Sequence, residues 1–287
     1  MAGEFVEIGR INWMGIFSDL SKFGLDELQN AEVYEEKKTE KTQASETPVK
    51  VLEEKDFLYE KEYTCVVCDQ KFANLSVRNN KLRLVKQDQD LRPRYEVIDP
   101  LKYDVVSCPH CGYSAISKCY NALAGVQRKM LKEKIGTNFQ NSTYMEDTIT
   151  YDEAVLRHKL ALACSIVKQG KNSERAYTCL KLGWMLESLM EDIPDNNWKH
   201  VKYSKEVEEC MQNAYDGFKL AFSSEEFPIC GMNEHTMTLL IAQLGRRLGD
   251  DENAKRMAGM LITNRNVPDR IKELARDLKS QIDEESK

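Results

Sequence analysis

Long hydrophobic runs are missing from this sequence, since no apolar stretch approaches the ~20 residues that cross a bilayer. The N-terminus also lacks a basic segment followed by an apolar one, so we expect no secretory leader and no membrane partner. Nine cysteines, an odd number, fit a compartment in which thiols stay reduced. The sequence therefore predicts a soluble, cytoplasmic protein.

Recognisable catalytic motifs are missing as well. The sequence contains neither a glycine-rich phosphate loop nor a nucleophile elbow. The segment Asn233-Glu234-His235-Thr236 lacks the second histidine that a helical metalloprotease needs on the same helix face. The four histidines lie far apart in sequence, at His110, His158, His200 and His235. We therefore assign no catalytic residue, and a non-enzymatic protein is favoured.

Two Cys-x-x-Cys pairs, Cys65 with Cys68 and Cys108 with Cys111, carry the clearest chemical information in the chain. Four thiolates at this spacing form a tetrahedral site for zinc, and two such turns joined by short strands form a zinc ribbon. Gly112 follows the second pair, and a turn of this kind points backbone N–H groups at the sulfurs. A closed set of four cysteines leaves no position for a substrate, so the predicted zinc ion is structural.

Three other interpretations of these cysteines stay open. A thiol-disulfide oxidoreductase would use Cys108 and Cys111, because a strand-like run at 103–107 precedes them and a helical pattern follows. Such enzymes need further strands after the motif, however, and they do not need a second pair. The others are a structural disulfide and a pair of buried thiols. The remaining cysteines lack ligand spacing and are expected in the core: Cys119, Cys164, Cys179, Cys210 and Cys230.

Charge and residue pattern divide the chain into three segments. Residues 1–60 are acidic and combine an amphipathic stretch at 13–28 with a polar, charged linker at 32–56. Residues 61–118 form the predicted zinc ribbon, with strands at 74–78 and 81–86. Residues 119–287 form the predicted helical domain.

Helical spacing begins at Ile116 and predicts a first helix that reaches about Ile135. Thr150 and Glu153 form a predicted capping box for the second helix, and Asn172 or Ser173 is expected to cap the third. The predicted helices after the first one cover 154–168, 172–190, 204–222, 234–248, 250–264 and the residues after 268.

Small residues recur at one spacing in two of these helix pairs, Ala163 with Ala176 and Gly245 with Ala258. This spacing resembles the tetratricopeptide pattern, in which small side chains let two helices approach closely. An unspecialised helical bundle is the alternative. The predicted fold class is thus mainly α with a small β zinc ribbon and a helical-hairpin, tetratricopeptide-like C-terminal domain.

The insert at 78–94, which lies between the two Cys-x-x-Cys pairs, is basic, with two acidic residues, Asp88 and Asp90, against six basic ones. The basic residues are Arg78, Lys81, Arg83, Lys86, Arg92 and Arg94. A basic surface on the ribbon is expected, and contact with nucleic acid is one explanation for it. A solvated strand face is the simpler explanation, because aromatic side chains that would stack on bases are nearly absent.

Three short motifs also carry a resemblance to a known family: Met14-Gly15-Ile16-Phe17, the run at 57–65, and the run at 108–113, which reads Cys-Pro-His-Cys-Gly-Tyr. The chain resembles an uncharacterised family of bacterial cytosolic proteins, a domain of unknown function with two Cys-x-x-Cys knuckles before a tetratricopeptide-like tail. The resemblance spans almost the full chain. It implies a bacterial source and metal binding by the four cysteines, and it implies no catalytic residue.

These observations predict a non-enzymatic scaffold or adaptor in which zinc holds the ribbon and the helical domain binds a protein or peptide partner. A nucleic-acid-binding regulator that uses the basic insert is the second hypothesis. The third hypothesis is a thiol-disulfide oxidoreductase that acts through Cys108 and Cys111.

Overall fold

The computed structural model describes residues 52–140 and 147–285. In this part of the chain six short strands come first and seven helices follow. The amphipathic stretch predicted at 13–28 and most of the linker predicted at 32–56 lie outside the described residues. The strands are β1 (Leu58–Thr64), β2 (Lys71–Val77), β3 (Leu84–Gln87), β4 (Pro93–Tyr95), β5 (Val105–Ser107) and β6 (Ser114–Ile116).

The six strands form three separate antiparallel hairpins, β1 with β2, β3 with β4, and β5 with β6. In the first hairpin the pairing runs from Leu58 opposite Val77 to Thr64 opposite Lys71, so the first Cys-x-x-Cys turn closes its end. The strand predicted at 74–78 is the second half of β2. The strand predicted at 81–86 begins only at Leu84, because residues 79–81 form a tight helical turn.

The helix predicted from Ile116 to Ile135 is wrong over its first half. Ile116 instead ends β6, where it pairs with Val105 and closes the hairpin that carries the second Cys-x-x-Cys turn. A single helical turn follows at 117–119, and α1 (Gly125–Leu131) begins only afterwards and continues into a wider turn, Lys132–Gly136. The spacing of apolar residues at three or four positions fitted a helix. The first of them, Ile116, instead forms part of β6, which pairs with β5 after the second Cys-x-x-Cys turn.

The other helices agree with the sequence pattern, except that the helix predicted at 204–222 already begins at Trp198, and side chains cap most of their first turns. Thr150 Oγ1 accepts from the Glu153 backbone N–H at 3.2 Å, and Asn233 Oδ1 accepts from the Thr236 N–H at 2.9 Å. The helices are α2 (Tyr151–Val167), α3 (Asn172–Met190), α4 (Trp198–Ser224), α5 (Glu234–Arg247), α6 (Asp251–Thr263) and α7 (Asp269–Glu285).

The cap predicted for α3 is wrong, because neither Asn172 nor Ser173 occupies the capping position. That position belongs to Lys171, whose side chain does not cap the helix. Glu225, which follows the end of α4, supplies the carboxylate instead. It accepts from the Ser173 backbone N–H at 2.9 Å and from the Ser173 hydroxyl at 2.6 Å. A negative charge at a helix N-terminus is favourable, so the end of α4 fixes the start of α3.

The core of the helical region is centred on α3, which is buried over most of its circumference, and on α4 packed against it. Two glycines permit this close approach. A Cβ on Gly183 would lie 2.6 Å from the terminal methyl of Met211, and one on Gly217 would lie 2.8 Å from the Cβ of Ala176. Ala176 therefore packs against α4, and the tetratricopeptide-like pairing of α2 with α3 stays a prediction.

The basic insert is fastened to α3 through two of its six basic residues. Arg92 is 1% exposed and its guanidinium lies 3.4 Å from Glu187 and 3.7 Å from Asp99. Arg94 pairs with Asp88 at 2.5 Å and with Glu191. The expected basic surface is therefore reduced, because carboxylates of the insert, of α3 and of the residues next to them pair with two of its six basic residues.

The fold class is mainly α, with small antiparallel hairpins near the start of the described chain and a helical C-terminal region. Val51–Lys287 forms one compact unit, in which α2 packs on β5 and β6. The division of this unit at residue 118 stays a prediction. Among the described helices, none combines the length and apolar character that crossing a bilayer requires.

Candidate metal centre

The first Cys-x-x-Cys turn joins β1 to β2. The Cys65 N–H donates to the Gln70 carbonyl at 2.9 Å, and the Asp69 N–H donates to the Cys65 carbonyl at 2.9 Å. Asp69 adopts a φ of 59°, in the left-handed region that aspartate tolerates better than most residues. The Val67 N–H lies 3.4 Å from the Cys65 sulfur and donates to it. This turn thus presents both sulfurs on its inner side.

The second turn, between β5 and β6, repeats the first one bond for bond. The Cys108 N–H donates to the Tyr113 carbonyl at 2.9 Å, and the Gly112 N–H donates to the Cys108 carbonyl at 3.0 Å. Gly112 has a φ of 71° and occupies the place that Asp69 has in the first turn. A Cβ on Gly112 would also lie 2.3 Å from the Phe139 ring, so glycine is required here for two reasons.

The four cysteine sulfurs of these turns converge. All four lie within 4.8 Å of one another, with Cys65 and Cys111 at 3.6 Å and Cys68 and Cys108 at 3.7 Å. Sulfurs at ~2.3 Å from a central ion in a tetrahedron lie about 3.8 Å apart. A disulfide needs about 2.05 Å between its sulfurs. The spacing therefore fits a four-sulfur metal site, and the structure brings together all four cysteines that the sequence singled out.

Hydrogen bonds and burial shift the pKa values of three of these thiols in opposite directions. Hydrogen bonds from Cys108 and Cys111 hold the pKa of Cys65 far below its ordinary value. The hydrogen bonds with Cys108 and Cys65, together with burial, raise the pKa of Cys111 far above it. For Cys108, the bond with Cys111 lowers the pKa, but the bond with Cys65 and burial outweigh it and raise the pKa to about 12. A cation is what would allow all four to become thiolates together.

Aromatic side chains surround the sulfurs and exclude water from one side. Tyr63 stacks on Phe72, and Tyr120 meets both rings edge on. Phe72, which lies in β2 shortly after the first Cys-x-x-Cys turn, is 8% exposed and belongs to the same small core as Cys65. Tyr113 packs against Tyr120 and donates its hydroxyl to the Tyr120 carbonyl at 2.8 Å. This packing gives the cluster a core of its own.

The Tyr120 hydroxyl is the unusual polar atom of this core. It is buried and has no hydrogen-bond partner of good geometry among the described residues. Burial raises the pKa of Tyr120, and the neighbouring Cys65 sulfur raises it further. A buried hydroxyl beside a sulfur is suited to donate to a metal-bound thiolate, as groups around metal ligands generally do. No motif in the sequence pointed to this role for Tyr120.

The donor set and its surroundings determine what the cluster can do. Four soft sulfur donors in a tetrahedron suit Zn²⁺ or iron and disfavour Mg²⁺ or Ca²⁺. Such a set has no open coordination position, so the ion would hold the two turns together without binding substrate. Cys108 and Cys111 precede the strand β6. They therefore lack the helix N-terminus that lowers the thiol pKa in thiol-disulfide oxidoreductases.

The other histidines and cysteines that the sequence analysis named are not members of the four-sulfur cluster. His110 is exposed within the second turn, and His200 lies 3.3 Å from Asp195. Cys164, Cys179 and Cys210 are buried and Cys119 and Cys230 partly buried, as expected for core residues. A polar pair that the sequence did not reveal is Asp104 with Lys181, which joins the residue just before β5 to α3.

Comparison with known proteins gives a family and nothing more specific. A family model described as an uncharacterized protein conserved in bacteria (DUF2225) matches residues 58–282. Among curated proteins and among solved structures, no match was found.

Proposed function

The chain belongs to the bacterial family DUF2225, and for this member of it we propose a non-enzymatic scaffold function, with one zinc ion fixing the ribbon and the helical region binding a protein or peptide partner. The convergence of four cysteine sulfurs within 4.8 Å carries this proposal. A closed sulfur set explains the metal as a structural element, and it supplies no chemistry that would turn over a substrate.

Zinc is the proposed ion because it is redox-inactive, as a purely structural site requires, and because its usual distance to thiolate sulfur fits the separations between the four sulfurs. Cys65, Cys68, Cys108 and Cys111 are the proposed ligands. Elemental analysis of the purified protein should find one zinc per chain. Cys108→Ser should lose it, whereas Cys179→Ser, which changes a buried cysteine outside the cluster, should keep it. Equal zinc content in the two variants would refute the proposed ligand set.

A partner surface is supported by apolar side chains that the described structure leaves open on α4. Trp198 is 69% exposed and Val201 is 51% exposed, and their spacing places them on one face of the helix. Exposed tryptophan is typical of binding hot spots, because it offers a large apolar area for burial. A partner that buries this tryptophan would present an apolar pocket to it.

A photo-crosslinking residue tests the partner proposal. Placed at position 201 in bacterial cells, where it leaves Trp198 intact, it should join the chain repeatedly to the same protein, and placed at the exposed position of Glu208 on the same helix it should not. Trp198→Ala should abolish the crosslink from position 201 without changing the thermal stability. Crosslinks that are equally frequent at 201 and 208 would contradict the proposal.

The two other hypotheses receive less support. Pairing of Arg92 and Arg94 with carboxylates reduces the basic surface that nucleic acid would need. The oxidoreductase hypothesis needs an isolated reactive thiol pair at Cys108 and Cys111, but each of these sulfurs also lies close to a sulfur of the first pair, at 3.7 Å from Cys68 and 3.6 Å from Cys65. Neither alternative is favoured by a specific observation.

A further inference from the structure

A cleft of about 550 Å³ lies where the first hairpin meets the helices, away from the sulfur cluster's interior. One wall is a face of β1, because Tyr59, Lys61 and Tyr63 alternate along the strand. The opposite wall is α3, where Tyr177 and Trp184 are two turns apart on one helix face. The volume falls in the ~300–1,000 Å³ range of small-molecule sites.

An ion pair forms part of the inner lining of this cleft. Lys181 donates to the Asp104 carboxylate, and the Ser117 hydroxyl donates to the same carboxylate at 3.1 Å. The Lys181 Nζ also lies 4.4 Å from the centre of the Tyr177 ring. Lys181 is only 6% exposed. A buried ion pair adds little net stability because both charges lose water, so its presence here favours a binding role.

Two further lysines of the cleft carry free charge. Lys61 and Lys118 are exposed, and within residues 52–140 and 147–285 neither has an ion pair. Lys61 lies 5.1 Å from the centre of the Tyr63 ring, and the Lys118 Nζ lies beside Gly231. Three lysines and one aspartate line the cleft, whereas the whole chain has a net charge of −6. The cleft is thus a positive site on an acidic protein.

We propose that this cleft binds a small organic anion that carries a planar ring. Lys61 and Lys118 would hold the anionic group, because their charges have no acidic partner in the described part of the chain. The ring would lie among the aromatic side chains of the two walls, which include Tyr59, Tyr95 and Trp184. This function goes beyond the scaffold proposal, although the β1 wall of the cleft belongs to the segment that the metal is proposed to hold.

A second cleft shows by contrast why charge balance matters. It has a volume of about 870 Å³ and lies between the β3–β4 hairpin and α5. Its cations are already paired, since Arg247 lies 2.6 Å from Glu187 and Arg246 lies 2.6 Å from Glu285. It therefore offers an incoming anion no free charge.

Two probes that share one ring system test the proposal on the full-length protein. The fluorescent anion 1-anilinonaphthalene-8-sulfonate carries a sulfonate, and N-phenyl-1-naphthylamine is its uncharged counterpart. The sulfonate probe should bind with a stoichiometry of one. Lys61→Gln combined with Lys118→Gln should weaken its binding about tenfold, because two charges near the sulfonate are lost. Binding of the uncharged probe should change less than twofold.

Matched variants separate this site from general apolar binding. Lys205→Gln with Lys279→Gln removes two exposed lysines elsewhere and should leave the affinity for both probes unchanged. Thr236→Trp, which fills the cleft from α5, should weaken both probes. No binding of the sulfonate probe, or the same loss in both lysine pairs, would overturn the proposal. So would unchanged binding by Thr236→Trp in a protein with native thermal stability.

Discussion

At the scale of single residues, Tyr120 shows how a side chain that is not a ligand can serve the sulfur cluster. Its hydroxyl is buried beside the Cys65 sulfur and has no other described partner. A bound metal would leave the Cys65 thiolate in need of donors, and the Val67 N–H supplies only one of them. Tyr120 is the side chain placed to supply another.

Tyr120→Phe should therefore weaken metal binding by about 10- to 100-fold while the fold is retained. Competition with a chromophoric chelator measures the affinity, and the charge-transfer band of the Co²⁺-substituted protein reports the change at the thiolate. Tyr113→Phe is the matched control, because it removes a neighbouring hydroxyl that donates to a backbone carbonyl. If both variants release metal equally fast, packing explains the effect and the hydrogen bond does not.

The ion pair of Asp104 with Lys181 predicts a defined pH dependence. Burial raises the pKa of Asp104, but the Lys181 charge outweighs it and holds that pKa below the ordinary value. Burial lowers the pKa of Lys181, but Asp104 outweighs it and the pKa is raised. The stability from this pair is complete between about pH 4 and pH 10. It is lost as the pH falls through the pKa of Asp104 or rises through that of Lys181.

Asp104→Asn should cost about 3–5 kcal/mol at pH 7, because it leaves the Lys181 charge buried without a partner. Urea denaturation measures this loss. The difference from the unchanged protein should narrow as the pH rises towards 10, since Lys181 can then fold as the neutral amine. Adding Lys181→Met should restore most of the stability. A loss independent of pH would show that the pair is not charged.

The clustering of four cysteines was the most predictable feature of the molecule. Their spacing alone identifies them as candidate metal ligands, because few other functions need two Cys-x-x-Cys pairs. The four are Cys65, Cys68, Cys108 and Cys111. Tyr120 and Asp104 could not be found in this way. Their roles depend on contacts with Cys65 and Lys181, which lie 55 and 77 positions away in the chain, and no local pattern encodes such contacts.

At the scale of elements, the two knuckles show how one backbone geometry is reached by two sequences. Both contain the same pair of backbone hydrogen bonds and a left-handed residue after the second cysteine, Asp69 in one and Gly112 in the other. Only the second turn also has a ring, that of Phe139, against the position of a Cβ. The two turns should therefore differ in their tolerance of substitution.

Gly112→Ala should destabilise the second knuckle by at least about 1 kcal/mol, because alanine is strained at positive φ and its methyl would collide with Phe139. Gly125→Ala is the control, since a Cβ there meets nothing within 4 Å and α1 should gain up to about 1 kcal/mol. Thermal unfolding with metal-release detection measures both. A Gly112→Ala protein that is as stable as the unchanged one would contradict the assigned geometry.

Sequence periodicity located α2 to α7 well, because their apolar faces repeat over many turns and Thr150, Asn233 and Asp250 cap them. It failed where tertiary contacts decide. Ile116 has helical spacing but is drawn into β6 by the knuckle, and the first turn of α3 is capped by Glu225 from another helix. The strand predicted from residue 81 begins only at Leu84 for a local reason, because residues 79–81 form a helical turn.

At the scale of the whole molecule, the metal centre and the helices share one compact unit. The helix α2 packs on β5 and β6, and its Cys164 lies against the second knuckle, 3.4 Å from the Ser114 N–H. Loss of metal should therefore destabilise residues 61–118 first and α2, which packs on them, next. The α3–α4 core, which is centred on Met185 and Met211, has its own apolar packing.

Removal of the metal by a chelator should loosen residues 61–118 while α3 to α7 remain folded. A structural zinc site contributes about 10–16 kcal/mol of apparent binding free energy, and the small hairpins have little other support. Hydrogen exchange measured by mass spectrometry should show faster exchange in β1, β2, β5 and β6 and unchanged exchange in α3 and α4. Uniform loss of protection across the chain would contradict this division.

The identity and count of the bound metal test the central claim most directly. Elemental analysis of freshly purified protein should give one zinc per chain, falling to near zero in Cys65→Ser and in Cys108→Ser, one variant for each knuckle. The same result from both knuckles would show that they hold a single ion together. Protein that contains no zinc while the four thiols react freely, or variants that keep their zinc, would contradict the account.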